Sequence, residues 1–199
     1  MAEQVARTSF VGTKISTGAL EFAARLSKID QPLANAIKSG SVQVVDFALY
    51  NCRDLGASTT VEAFQASDAK EVGITNLNKR QLEANTYFLL TGVQILESDA
   101  KIGSGTGEKT LKAAKYGVIG NTIANGEFEL KVGDKVLIPR NSMEIFRTPE
   151  HSDKLEGFFE LECPKIITPL TDIVPWIYLP QGANKGIKVV LHGVKTNKA

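Results

Sequence analysis

Asn125-Gly126-Glu127-Phe128-Glu129-Leu130-Lys131-Val132-Gly133-Asp134-Lys135-Val136-Leu137-Ile138 is the stretch on which the fold class turns. Glu127 to Val132 alternates strictly between charged and apolar side chains, the period of a strand with one buried and one solvated face. Asn125-Gly126 is a turn signal ahead of it, and Gly133-Asp134 turns the chain into Lys135–Ile138. The stretch therefore reads as a β-hairpin.

Outward from this hairpin the same period returns. Phe159, Leu161 and Cys163 alternate with Glu160 and Glu162, and Ile187, Val189 and Leu191 alternate with Lys188, Val190 and His192. Tyr87–Leu96 and Ile173–Leu179 are apolar in both phases, which predicts strands covered on both faces. Val42–Tyr50, Val61–Gln65 and Ser142–Phe146 are further strand candidates, while residues 112–123 fit either a short helix or a strand. Eight or nine strands separated by Gly, Pro, Asn and Asp clusters predict an all-β chain, an antiparallel β-sandwich or jelly roll, and not alternating β/α units. No segment recurs at the 20–50-residue period of a repeat protein.

Before Gly40 the period is helical. Phe22, Leu26, Ile29, Leu33 and Ile37 form an amphipathic stripe, with Thr17 as the expected cap and Glu21 in the first turn. Pro32 lacks the N–H a helix interior needs, so Asp30-Gln31-Pro32 reads as a fresh cap starting a second helix that Gly40 ends. The expected organisation is a broken helical arm in residues 1–40 and a single sandwich in 41–199.

Composition narrows the function classes. In 199 residues, 43% hydrophobic and 23% charged is globular and excludes a disordered chain. Lys+Arg 23 against Asp+Glu 22 leaves no global field to draw the protein to nucleic acid or membrane. Cys52 and Cys163 fit neither a disulfide framework nor a CxxC motif, so both are expected as buried reduced thiols. Met1–Phe10 holds no apolar core of signal-peptide length, and the longest apolar runs reach about half a membrane span. A soluble protein made in a reducing compartment is the expectation.

Several patterns invite chemistry. Gly103-Ser104-Gly105-Thr106-Gly107-Glu108-Lys109-Thr110 approaches a phosphate-binding loop, but Glu108 puts a carboxylate between the last glycine and Lys109. A glycine-rich surface loop is the better reading. His151 lies in a charged loop and His192 on a strand; a nucleophile–base pair such as Cys163 with His192 could meet across a sandwich, as any two strand residues could, and ordinary structural histidines are the better reading. Glu160 and Glu162 share a strand face, which reads as a solvated surface before it reads as a metal site. No cofactor is expected. Trp176 and Tyr178 share a face with Val174, and pack either in a core, at a subunit contact, or as an aromatic platform for a sugar. Lys185, Lys188, Lys195 and Lys198 follow the last acidic residue, Asp172; they guard an edge strand, or touch phosphates, of genome or lipid, or a neighbouring subunit's acidic patch.

Two segments carry a resemblance. Thr75-Asn76-Leu77-Asn78-Lys79-Arg80-Gln81-Leu82-Glu83-Ala84-Asn85-Thr86-Tyr87-Phe88-Leu89-Leu90-Thr91-Gly92-Val93-Gln94-Ile95 resembles the lead-in to the first long strand of jelly-roll capsid proteins from tailless icosahedral bacteriophages. Asp172–Leu179 with Gly182–Gly193 is similar to the closing strand pair of the same proteins. The likeness spans about residues 70–195, and the chain is shorter than double jelly-roll members, which favours a single roll with an N-terminal arm. It implies a virion structural protein without catalysis, made in the host cytoplasm, whose partners are copies of itself and other virion proteins. Candidate subunit contacts are then Phe22, Leu26, Ile29, Leu33, Ile37, Trp176 and Tyr178. A carbohydrate- or receptor-binding sandwich using Trp176, Tyr178 and Tyr87 is the alternative, and an enzyme using Lys109 comes third.

Overall fold

A computed structural model describes residues 17–101, 107–147 and 155–197. In chain order it holds α1 (Thr17–Leu26), α2 (Gln31–Lys38), β1 (Gln43–Asp54), β2 (Thr60–Glu62), β3 (Phe88–Lys101), α3 (Gly107–Ala113), β4 (Tyr116–Gly117) and α4 (Asn121–Ala124). Then follow β5 (Glu127–Val132), β6 (Lys135–Ser142), a 3-10 helix (Met143–Phe146), β7 (Phe158–Ile167), β8 (Ile173–Tyr178) and β9 (Lys185–Asn197).

The strands form two antiparallel sheets, so the chain is an all-β sandwich. One sheet runs β1-β9-β3, with β7 beside the first half of β3 and β4 beside its second half; the other runs β2-β8-β5-β6. Leaving β4 aside, the strands pair first with last (β1–β9), second with second-last (β2–β8), third with third-last (β3–β7), and the middle two with each other (β5–β6). This is one long antiparallel ribbon folded over on itself. The β3–β9 and β5–β8 pairings complete the two sheets.

The alternation that marked the hairpin places its apolar phase between the sheets. Phe128 and Leu130 of β5 are fully buried with Phe88, Leu90, Val93 and Ile95 of β3. Ser142–Phe146, expected as a strand, continues β6 only to Ser142 and then turns into the 3-10 helix. The Ser142 hydroxyl accepts the Glu144 N–H at 3.2 Å, and the three-residue turn stacks Met143 and Phe146 on one side, where both are buried. Alternation would have put them on opposite faces. Phe146 meets Phe128 edge-on at 5.4 Å between ring centres. Val61–Gln65 is shorter than expected, paired only over Thr60–Glu62, and residues 112–123 resolve into the end of α3, β4 and α4.

The arm folds as two helices. Asp30 caps α2, its carboxylate accepting the Leu33 N–H at 3.0 Å, with Pro32 in the first turn where no N–H is needed. Gly40 follows with φ +77°. Thr17, the expected cap, is itself helical, and Glu21, beyond the first turn, accepts from Arg25 at 3.0 Å.

Candidate functional site

The sandwich leaves two outer sheet faces and a loop-lined edge, and the candidate residues are placed on these surfaces. The first is the outer face of the five-stranded sheet. Phe22, Leu26 and Ile37 are buried there together with Leu89 of β3, against Val44, Tyr87, Ile166 and Val194. This explains why Tyr87–Leu96 is apolar in both phases: Phe88 and Leu90 face the other sheet, and Leu89 faces the arm. Of the stripe, Leu33 is half-buried and Ile29 stays 55% exposed. As folded, then, the chain covers most of its own stripe, and among the described residues of the arm Leu20 and Ile29 are the large apolar ones exposed to solvent.

The second surface is the outer face of the four-stranded sheet. Ile173, Ile177 and Leu179 point into the core, while Trp176 and Tyr178 stand on the opposite face with rings 6.2 Å apart and 21° from parallel. Among the described residues no second layer covers them, unlike the enclosure on both sides expected of Ile173–Leu179, and both rings are half-buried. Arg140 reaches across from β6, its guanidinium 3.6 Å from the Tyr178 ring centre and its Nε bonded to Glu127 at 3.1 Å. The Tyr178 hydroxyl donates to Glu129 at 3.1 Å. Burial, then that carboxylate, holds the phenol proton on to higher pH. At the other end of β8, Arg80 donates to Asp172 at 2.7 Å and to Glu62 at 3.1 Å. Bonds from Gln81 and Arg80 hold the Asp172 carboxyl below its ordinary range. Sequence spacing gives no sign of Arg140 or Arg80, whose partners are distant in the chain and meet them only once the sheet forms.

The lysines after Asp172 are mostly committed within the chain. Lys185 Nζ donates to the Ser98 carbonyl at 3.1 Å, and Lys188 lies 5.1 Å from the Tyr50 ring centre. Lys195 lies 3.7 Å over Phe47. They do not guard an edge, because β9 pairs on both sides with β1 and β3; Lys198 falls outside the described residues.

The remaining candidates do not assemble. Cys52 is buried as expected, whereas Cys163 is exposed on β7, where Pro164 follows it. β3 lies between β7 and β9, so Cys163 and His192 stand on strands roughly 10 Å apart. His192 instead bonds through Nε2 to Gln94 Oε1 at 3.0 Å, and Phe158 meets its ring edge-on. Burial lowers the pKa of His192. Glu160 and Glu162 are both exposed. Among the described residues no three His, Cys, Asp or Glu side chains gather as metal ligands. His151 and Gly103–Thr106 lie outside the described residues, and Gly107–Thr110 enters α3.

One loop has a clear structural task. Asn76 accepts the Tyr50 N–H at 2.9 Å and donates to the Ala48 carbonyl at 2.7 Å, while the Cys52 N–H donates to the Ile74 carbonyl at 2.8 Å. The loop thereby seals the second half of the β1 edge. Beside it a cleft of ≈ 230 Å³ has Phe47, Leu49, Leu77 and Leu82 among its walls and the Lys70–Glu83 ion pair at its rim. Comparison of the chain with family models, curated proteins and solved structures gives no match.

Proposed function

We propose that this chain is a jelly-roll capsid subunit: a virion structural protein that works by packing against copies of itself and other virion proteins, without catalysis. The observation that carries the reading is the strand order, β1-β9-β3-β7 facing β2-β8-β5-β6. Jelly rolls, the architecture of viral capsid domains among others, likewise place eight strands in two facing sheets, and this likeness supports the reading. The capsid-like segments supply β3, β8 and β9, the strands that close the roll. A chain of net charge +1 also lets many copies pack closely with little mutual repulsion. On this reading the protein is made in the host cytoplasm and resides in the virion.

Jelly rolls also occur in lectins, so a carbohydrate- or receptor-binding module is the second reading, favoured by the aromatic pair on an open sheet face. Against it, Arg140 already lies over the Tyr178 face on which a sugar would stack. Light scattering coupled to size exclusion on the full chain separates the two. Trimers, pentamers or larger closed species that grow with concentration are expected. A strict monomer that binds a glycan and loses it in Trp176→Ala would overturn the capsid reading.

A further inference from the structure

Sheet edges are templates for further pairing, and this sandwich closes most of its own. β6 carries Pro139 and the exposed charges of Lys135 and Arg140. β7 carries Pro164 with exposed Glu160 and Glu162. β2 spans three residues, and Asn76 with Ile74 seals the second half of β1. The first half of β1, Gln43-Val44-Val45-Asp46-Phe47, has none of these devices: no proline, no glycine and a single charge.

The direction of its backbone groups follows from parity. Ala48, Tyr50 and Cys52 turn their N–H or C=O outward to the sealing loop, and backbone groups alternate along a strand. Val44 and Asp46 therefore point theirs outward too, and among the described residues nothing bonds them. The window is bounded at one end by Val42, whose N–H goes to the Ala36 carbonyl at 3.2 Å as the chain enters from α2, and at the other by Asn76.

We propose that this window is a self-pairing edge: it adds antiparallel to the same window of a second copy, about a two-fold axis at Val45. The proposal rests on the self-association reading above and names the surface used. Three two-fold registers near the window's centre bring outward-pointing groups together. One sets Asp46 opposite Asp46 of the second copy, directly opposed like charges. Another needs the Val42 N–H, which Ala36 already holds. The third pairs Val44 with Asp46 in both directions, each pair exchanging both of its N–H···O bonds, with Val45 facing Val45. In that register the second copy leaves the sheet at its Val42, opposite Ala48, where the Asn76 seal begins. The free window thus fits itself end to end, as an isologous contact must.

An edge this short buries less than the ~1,200 Å² of a stable isolated interface. It serves as one weak contact repeated through an assembly, and trapping detects it better than isolating a dimer. Across a non-hydrogen-bonded antiparallel pair the α-carbons lie about 4.5 Å apart, within the ~4.4–6.8 Å that a disulfide spans. In a full-length Cys163→Ser background, Val45→Cys should cross-link to a covalent dimer under mild oxidant. Gln43→Cys, roughly 13 Å from its own copy in this register, should not. Adding Asp46→Pro removes an outward N–H while leaving the β9 ladder whole, and by symmetry removes it twice. It should slow the cross-linking about tenfold or more, at unchanged circular dichroism.

Cross-linking that is equal at Gln43 and Val45, or indifferent to Asp46→Pro, would overturn the edge. So would its absence in a chain that light scattering shows to assemble, which would leave the capsid reading standing. Cross-linking at Val45 with no species beyond the dimer would uphold the edge and sink the shell.

Discussion

Gly193 lies so close to β3 that a β-carbon on it would stand 1.9 Å from the Leu89 carbonyl oxygen. Gly193 is on β9, opposite Leu90 of β3 and Phe47 of β1, where β3 slips register between Leu90 and Gly92. The irregularity draws the two backbones together, and only a residue without a side chain fits. Gly193→Ala must push β9 from β3 in the middle of the sheet. We expect a loss of about 1–3 kcal/mol or more in urea unfolding, with the smaller part from propensity. A variant as stable as the parent would show that the strands can part at no cost.

The arm is held by apolar burial and can be tested at Phe22, which is wholly buried between α1 and the outer sheet face. Phe22→Ala leaves a cavity lined by Leu26, Ile37 and Leu89, and truncations of this kind cost about 3–5 kcal/mol. If the arm and sandwich unfold together, the whole denaturation curve shifts by that amount. If the arm detaches first, hydrogen exchange will show α1 and α2 losing protection while β3 and β9 keep theirs. Unchanged stability and protection would mean the arm is not docked.

Much of this fold was legible because period carries it. The strict alternation of Glu127–Val132 fixes β5 to the residue, and Asp30 with Pro32 marks the break between the helices. What failed was whatever depends on a neighbour. Cys163 follows the apolar phase of Phe159 and Leu161, yet β7 is an edge strand whose pairing with β3 shifts between Glu160 and Lys165, and Cys163 lies exposed in that break. The lysines of β9 resembled edge guards, because no local pattern says that a strand is central; the long apolar partner β3 decides that. Met143–Ile145 has the composition of a strand, and a single serine hydroxyl turns it into a 3-10 helix. Arg140 over Tyr178 joins residues 38 positions apart by two strand pairings, so the surface it makes exists only after the sheet forms.

The two cysteines should separate by reactivity. Cys163 is exposed, whereas Cys52 is buried under Ile74, Leu111 and Tyr116, and burial pushes its thiol pKa up. Thiolate is the reacting form, so both access and ionisation protect Cys52. With iodoacetamide at neutral pH, mass spectrometry of the digest should show Cys163 alkylated and Cys52 intact until denaturant is added. Equal labelling in the native protein would mean that the α3 side of the outer face opens freely.

His192 should make stability depend on pH near neutrality. Burial favours its neutral ring, so the folded pKa lies below the ordinary 6.5 of the unfolded chain. As pH falls through 6.5 the unfolded chain takes up a proton that the folded chain resists, and stability is lost on going down, not up. The Gln94 contact sets the tautomer of the neutral ring: Gln94 Nε2 donates to the Glu156 carbonyl at 2.7 Å, which leaves Oε1 facing His192 Nε2. The neutral ring therefore donates from Nε2. Thermal melts between pH 7.5 and 5.5 should fall steadily in the parent protein and more shallowly in His192→Gln, which can still donate to Gln94. If both fall in parallel, the acid sensitivity lies elsewhere and His192 is as easily charged inside the fold as outside it.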